Sequence, residues 1–132
     1  RYLVTLSSLA VRRSVFDMYQ FNENYNIIGD FDFVVNTSNN FNIQYLHQPL
    51  TYYRRHEGNY SKKNINEEVK ELKIWLYEHS MYYTSYELQP ISEKINYLEL
   101  LILKQEKNLF KLLKFIFFNF NIKNLIKIII NR

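Results

Sequence analysis

The chain has 132 residues, 47% of them hydrophobic, 23% charged and 17% aromatic, a balance that suits a soluble domain with one core and makes disorder unlikely to pay. With no cysteine, a disulfide scaffold, a cysteine zinc site and thiol catalysis are excluded, and two glycines with two prolines leave no glycine-rich phosphate loop, collagen repeat or many-turned β-sandwich. The formal charge of +4 is uneven: from Lys104 onward seven cations face the single acid Glu106, a net +6, so the body carries −2 and lacks the basic cluster that nucleic-acid binding needs.

In chain order, the apolar, uncharged run Tyr2–Val11 predicts a buried strand. Arg12-Arg13-Ser14 then opens a short amphipathic stretch with Val15, Phe16, Met18 and Tyr19, and residues 22–26 form a polar loop. Ile27-Ile28-Gly29 leads into Asp30-Phe31-Asp32-Phe33-Val34-Val35, a predicted helix with Asp30 near its N-cap. Residues 43–47 and 50–55 read as short strands separated by Gln48-Pro49, and Glu57-Gly58-Asn59 as a loop. From there the pattern turns helical. Residues 62–80 present Val69, Leu72, Trp75, Leu76 and His79 on one face, with Glu67, Lys70, Glu71, Lys73 and Glu78 around the rest. Asn64 and Glu67 have the spacing of a capping box at its start. Gln89-Pro90 reads as an interruption, with a second helix from about Ser92 that turns Ile95, Leu98, Leu101 and Ile102 inward.

Two constellations could carry chemistry. In Gly29-Asp30-Phe31-Asp32 the carboxylates stand two apart, on roughly opposite sides of a helix, so they meet different neighbours and can do different work. The same spacing is met by two acids that merely favour the helix dipole. The run from Tyr52 to Ser61 brings Arg54, Arg55 and His56 next to a glycine, which suits a phosphate or metal–phosphate group, or simply an exposed basic strand end. One histidine is far from a metal-ligand signature, and His47 and His79 read as structural.

The order of these pieces adds more than any one of them. A strand ending in SSLAVRRSVF, then FNENYNIIGDFDF, then QPLTYYRRHEGNYS resembles the C-terminal half of family 2 glycosyltransferases of the GT-A fold. The resemblance covers residues 5–61 and implies an α/β fold: a partial GT-A domain of few short strands plus helices over 1–61, trailing helices over 62–103, and a basic amphipathic helical tail over 104–132. It implies an inverting transfer of a sugar from a nucleotide-diphospho-sugar donor to the hydroxyl of a sugar or lipid-linked acceptor, in polysaccharide biosynthesis of a bacterial type. By position, Asp30 stands for the catalytic base and Asp32 for a residue orienting loops or the acceptor. Arg54 and Arg55 stand for diphosphate-binding residues, and His56 for a residue near the divalent metal, Mn2+ or Mg2+. The chain departs from the family in having Gly29 where many relatives have Glu, and Asn36 and Thr37 where a cation and an apolar residue are common. Nothing in residues 1–29 resembles the nucleotide-binding half with its D-x-D metal motif. The expectation is a fragment, inactive alone, with most of the metal site in the missing half.

The tail, residues 108–130, alternates Leu, Phe and Ile with Lys111, Lys114, Lys123 and Lys127. Lysines at helical spacing beside an apolar face predict a helix lying in an anionic membrane interface, which places the chain on the cytoplasmic, inner face. The alternative is a terminal helix docked on protein. A rival function is a non-enzymatic helical adaptor that associates with membranes through this tail.

Overall fold

The computed structural model describes residues 5–52, 54, 56 and 58–119. Two single 3₁₀ turns, Leu6–Ser8 and Arg13–Val15, precede five α-helices: α1 (Gly29–Ser38), α2 (Tyr60–Lys63), α3 (Ile65–His79), α4 (Ser85–Gln105) and α5 (Leu109–Asn119). No strand occurs among the described residues, so the expected α/β architecture of a partial GT-A domain is corrected to an all-helical one.

The reasons are local and concrete. In the predicted first strand, Thr5 and Ser8 cap one another: the Ser8 amide and hydroxyl both reach the Thr5 carbonyl (2.8 and 2.9 Å), and the Thr5 amide reaches the Ser8 hydroxyl (3.1 Å). Hydroxyl side chains offer the backbone these bonds in place of a ladder, and the chain turns instead of extending. Residues 2–4 of that predicted strand lie outside the described residues. Residues 43–47 and 50–52 carry no helix, but no neighbouring strand meets them, and Ile43, Tyr45, Leu46, Leu50 and Tyr52 are exposed. A β-strand is defined by its partner, and strand propensity without one yields only irregular chain.

The structure divides into two compact units, Arg1–His79 and Ser80–Arg132. In the first, Val15, Tyr25, Ile28, Phe31, Phe33, Val69, Leu72 and Trp75 are buried. Ile28 and Leu72 are the most completely enclosed, and each contributes on the order of 2 kcal/mol by burial. Phe33 is stacked by Phe21 (centroids 4.5 Å apart) and Phe16 (5.4 Å), and Phe31 meets Trp75 edge-on at 4.8 Å. Tyr19 sits edge-on to Phe41 and accepts a hydrogen bond from the Asn40 side-chain amide. α3 follows the predicted face. The expected box between Asn64 and Glu67 does not form, because the Asn64 backbone and side-chain amides both donate to the Tyr60 carbonyl, and Glu67 pairs with Lys70.

In the second unit, α4 begins seven residues before the predicted start, running through Pro90. Thr84 and Glu87 explain this: the Glu87 carboxylate accepts from the Thr84 amide (2.8 Å) and hydroxyl (2.7 Å), and the Thr84 hydroxyl accepts from the Glu87 amide (3.4 Å). These bonds, the Thr84 amide first, hold the Glu87 carboxyl below its ordinary range. Pro90, the sixth residue of α4, has no N–H, so the Tyr86 carbonyl lacks its helical donor. Ile95 and Leu98 are buried as predicted. Lys107, with φ 54°, turns the chain in the left-handed region after α4, and the Asn108 side chain caps α5 by accepting from the Lys111 amide (3.0 Å). α5 packs along α4 and half-buries Leu112, Phe115 and Ile116. Residues 120–130 of the predicted tail lie outside the described residues.

Candidate functional site

The entrance of α1 is organised by a residue on another helix. Ile28 occupies the cap position and has no side-chain oxygen to offer. Glu71 of α3 supplies the acceptor instead. Its carboxylate takes the backbone N–H groups of Asn26 (2.8 Å), Ile27 (2.9 Å) and Ile28 (3.0 Å), and the side chain is only 2% exposed. A negative charge here meets both the orphan amides and the positive end of the helix dipole. The sequence reading placed Glu71 on the solvent side of α3. The one signal was its position four residues before Trp75, at the margin of the apolar face, and periodicity cannot tell such a residue from a solvated neighbour.

From this fixed entrance the two aspartates part. Asp30, expected near the N-cap, is the second residue of α1, two positions past the cap residue Ile28, and is half-buried; its Oδ1 accepts from the Phe31 amide (2.8 Å). Asp32 is 3% exposed, and its Oδ1 accepts from the Trp75 indole N–H (2.9 Å) and from the Asn36 side-chain amide (3.1 Å). A buried carboxylate costs several kcal/mol to desolvate, and these charge-assisted bonds are what permit it. Asp32 therefore ties α1 to α3 through Trp75. Trp75 is itself sandwiched, edge-on by Phe31 and face-on by His79, whose ring lies 4.1 Å away and nearly parallel, while His79 Nδ1 is 2.9 Å from the Trp75 carbonyl oxygen. His79 is structural, as expected.

Tyr25 closes the other side of the same loop. It is buried, and its hydroxyl donates to Glu78 Oε2 at 2.8 Å. Burial, followed by the bond to Glu78 and the charges of Glu78, Asp32 and Glu71, pushes its phenol well above the ordinary tyrosine range.

Arg54 and His56 come together in an open groove of about 480 Å³ whose other walls include Asn26, Ile27, Asn59 and Tyr60. Both side chains are exposed. The His56 amide donates to Asn59 Oδ1 (3.0 Å) and the Asn59 amide to the His56 carbonyl (3.2 Å), a tight turn that leads into α2. A Cβ at Gly58 would stand 3.0 Å from His56 Nδ1, so a side chain there would ask the exposed His56 ring to give way by a few tenths of an ångström. Gly29 meets no such limit, because nothing lies within 4 Å of the place its Cβ would take. The groove offers a guanidinium fork, an imidazole, two side-chain amides and a phenol, a donor-rich set that suits an anionic oxygen group. Its rim continues through Asn26 and Ile27, whose amides Glu71 fixes, toward the start of α1. Arg55, the second cation of the sequence motif, lies outside the described residues.

A divalent metal is a poorer fit to these residues. Among the described residues, the groove offers one imidazole beside a cation and no carboxylate, and no cluster of three or more His, Asp or Glu able to hold a metal occurs. Among the described residues, His56 is the one side chain of the groove that could ligate a metal. Set against known proteins, the chain matches no family model, no curated protein and no solved structure.

Proposed function

We propose that the chain carries the acceptor side of a sugar-transfer site, with Asp30 as the base. In this reading the Asp30 carboxylate takes the proton of an acceptor hydroxyl as its oxygen attacks the anomeric carbon. The nucleotide diphosphate leaves from the opposite face, and the configuration inverts. Arg54, with Arg55 beside it in sequence, offsets negative charge on the departing diphosphate, and His56 lies in the same groove. A polypeptide that binds the nucleotide supplies the donor and most ligands of a divalent metal. The reaction takes place at the cytoplasmic face of a membrane.

The observation that supports this best is the division of the acidic pair. Asp32 is enclosed by Trp75 and Asn36, while Asp30 is half-buried in the first turn of the helix, at an entrance that Glu71 holds rigid. The order of the sequence motifs supplies the chemistry. The test is made in a polypeptide that joins these residues to a nucleotide-sugar-binding domain. Asp30→Asn is expected to lower the transfer rate by roughly 10²–10⁴-fold, the share a positioned base provides, with folding intact. Retained transfer rejects Asp30 as base. The 132 residues alone are expected to give no turnover, and measurable donor hydrolysis or transfer by them contradicts this division of labour.

A second reading, a non-enzymatic membrane-associating helical adaptor, is favoured by one observation, the exposed apolar side of α5. It expects Asp30→Asn to change nothing beyond the first turn of α1.

A further inference from the structure

The apolar face of α5 is split in two. Leu112, Phe115 and Ile116 face α4 and are half-buried, whereas Leu109, Phe110, Leu113, Phe117 and Phe118 are 57–82% exposed. At 100° per residue the first four fall within one stripe about 100° wide, and Phe118 lies outside it, between Lys114 and Lys111. Lys111 and Lys114 lie along one border of that stripe, and α5 contains no acidic residue. From 104 to 119 the chain holds four lysines against Glu106 alone. Among the described residues, these lysines make one ion pair, a long, solvent-exposed contact between Lys111 and Glu106 (3.7 Å), of the kind that exchanges readily for another anion.

We infer that α5 docks on an anionic membrane surface, with Leu109, Phe110, Leu113 and Phe117 seated among the outer acyl chains and Lys111 and Lys114 at the level of the lipid phosphates. Three features commit the face to this occupant. No helix among the described residues is long and apolar enough to cross a membrane. The left-handed turn at Lys107 and the Asn108 cap make α5 a helix separate from α4, with its own axis and its own face. Finally, the cationic border argues against a second copy of the chain on this face, since pairing like stripes brings lysine rows together, whereas anionic headgroups meet them with opposite charge. Lipid contact of this depth, roughly 5–10 Å into the interface, matches the width of the stripe. The inference rests on α5 alone and stands or falls separately from the role of Asp30.

The test is co-sedimentation of the full chain with vesicles of phosphatidylcholine alone or mixed with phosphatidylglycerol. Binding is expected only with phosphatidylglycerol present and is expected to fall as salt rises. Lys111→Gln and Lys114→Gln are each expected to weaken it roughly five-fold, and Leu113→Asp at least ten-fold, with far-ultraviolet circular dichroism unchanged. Phe117→Trp, read against the native Trp75 background, is expected to be quenched by brominated acyl chains. Equal binding to neutral vesicles, no binding to anionic ones, or binding without quenching at position 117 overturns the inference. So does a concentration-dependent dimer that Leu113→Asp dissolves in a chain that ignores lipid.

Discussion

The two units handle polarity in opposite ways. Residues 5–79 bury carboxylates, those of Asp32 and Glu71, and give each of them several donors; in the α4–α5 hairpin, large apolar side chains stand in solvent beside lysines. Burying a charge is costly unless its bonds are complete, so the first arrangement specifies one geometry closely. Leaving phenylalanines exposed gains nothing for folding, so the second makes sense through what it meets. One unit spends polar contacts on positioning a helix entrance, and the other holds an apolar stripe in reserve.

That contrast breaks first, and furthest, at Glu71. Glu71→Ala removes the shared acceptor of three backbone amides and is expected to cost about 3 kcal/mol, read as a lower urea midpoint. Trp75→Phe keeps the packing with Phe31 but leaves Asp32 with Asn36 as its remaining side-chain donor, for an expected loss of about 2 kcal/mol. A midpoint unchanged by either substitution would mean that these buried carboxylates do not organise the fold. Tyr25→Phe sharpens the comparison with pH. The folded state keeps the Tyr25 proton above the ordinary value, so the contribution of this group is complete below about pH 10 and is lost as the pH rises further. Tyr25→Phe is expected to cost about 1 kcal/mol near neutrality and to flatten the alkaline decline in stability. The smallest effect is expected at the other extreme, where Leu113→Asp, on the exposed stripe, should move the unfolding midpoint by less than about 0.5 kcal/mol.

Much of this was readable from residue order, and the failures have identifiable causes. The face of α3 and the inward side of α4 follow from apolar spacing, which survives because a helix carries its own hydrogen bonds. The strands at 43–47 and 50–55 were expected from residue type alone, but a strand depends on a partner, and none stands beside the described part of them. The start of α4 was missed because Pro90 was given more weight than the Thr84 and Glu87 pair ahead of it. At the site, helical spacing alone sets the side chains of Asp30 and Asp32 apart, since two residues of helix turn them to different neighbours. The residues that enforce the difference, Glu71 and the Trp75 indole, are some forty positions away along the chain. No local pattern reveals a bond of that span. Arg54 and His56 were joined by sequence proximity, and Asn26 was added to their groove only by folding.

The proposed division of the acidic pair makes Asp32 structural and Asp30 chemical. Its most direct test measures transfer rate and urea midpoint side by side for Asp30→Asn and Asp32→Asn in a polypeptide that also binds the nucleotide sugar. Asp30→Asn is expected to lower transfer by roughly 10²–10⁴-fold with an unchanged midpoint, and Asp32→Asn to lower the midpoint. Full transfer by Asp30→Asn, or a midpoint that falls with Asp30 and not with Asp32, would contradict it.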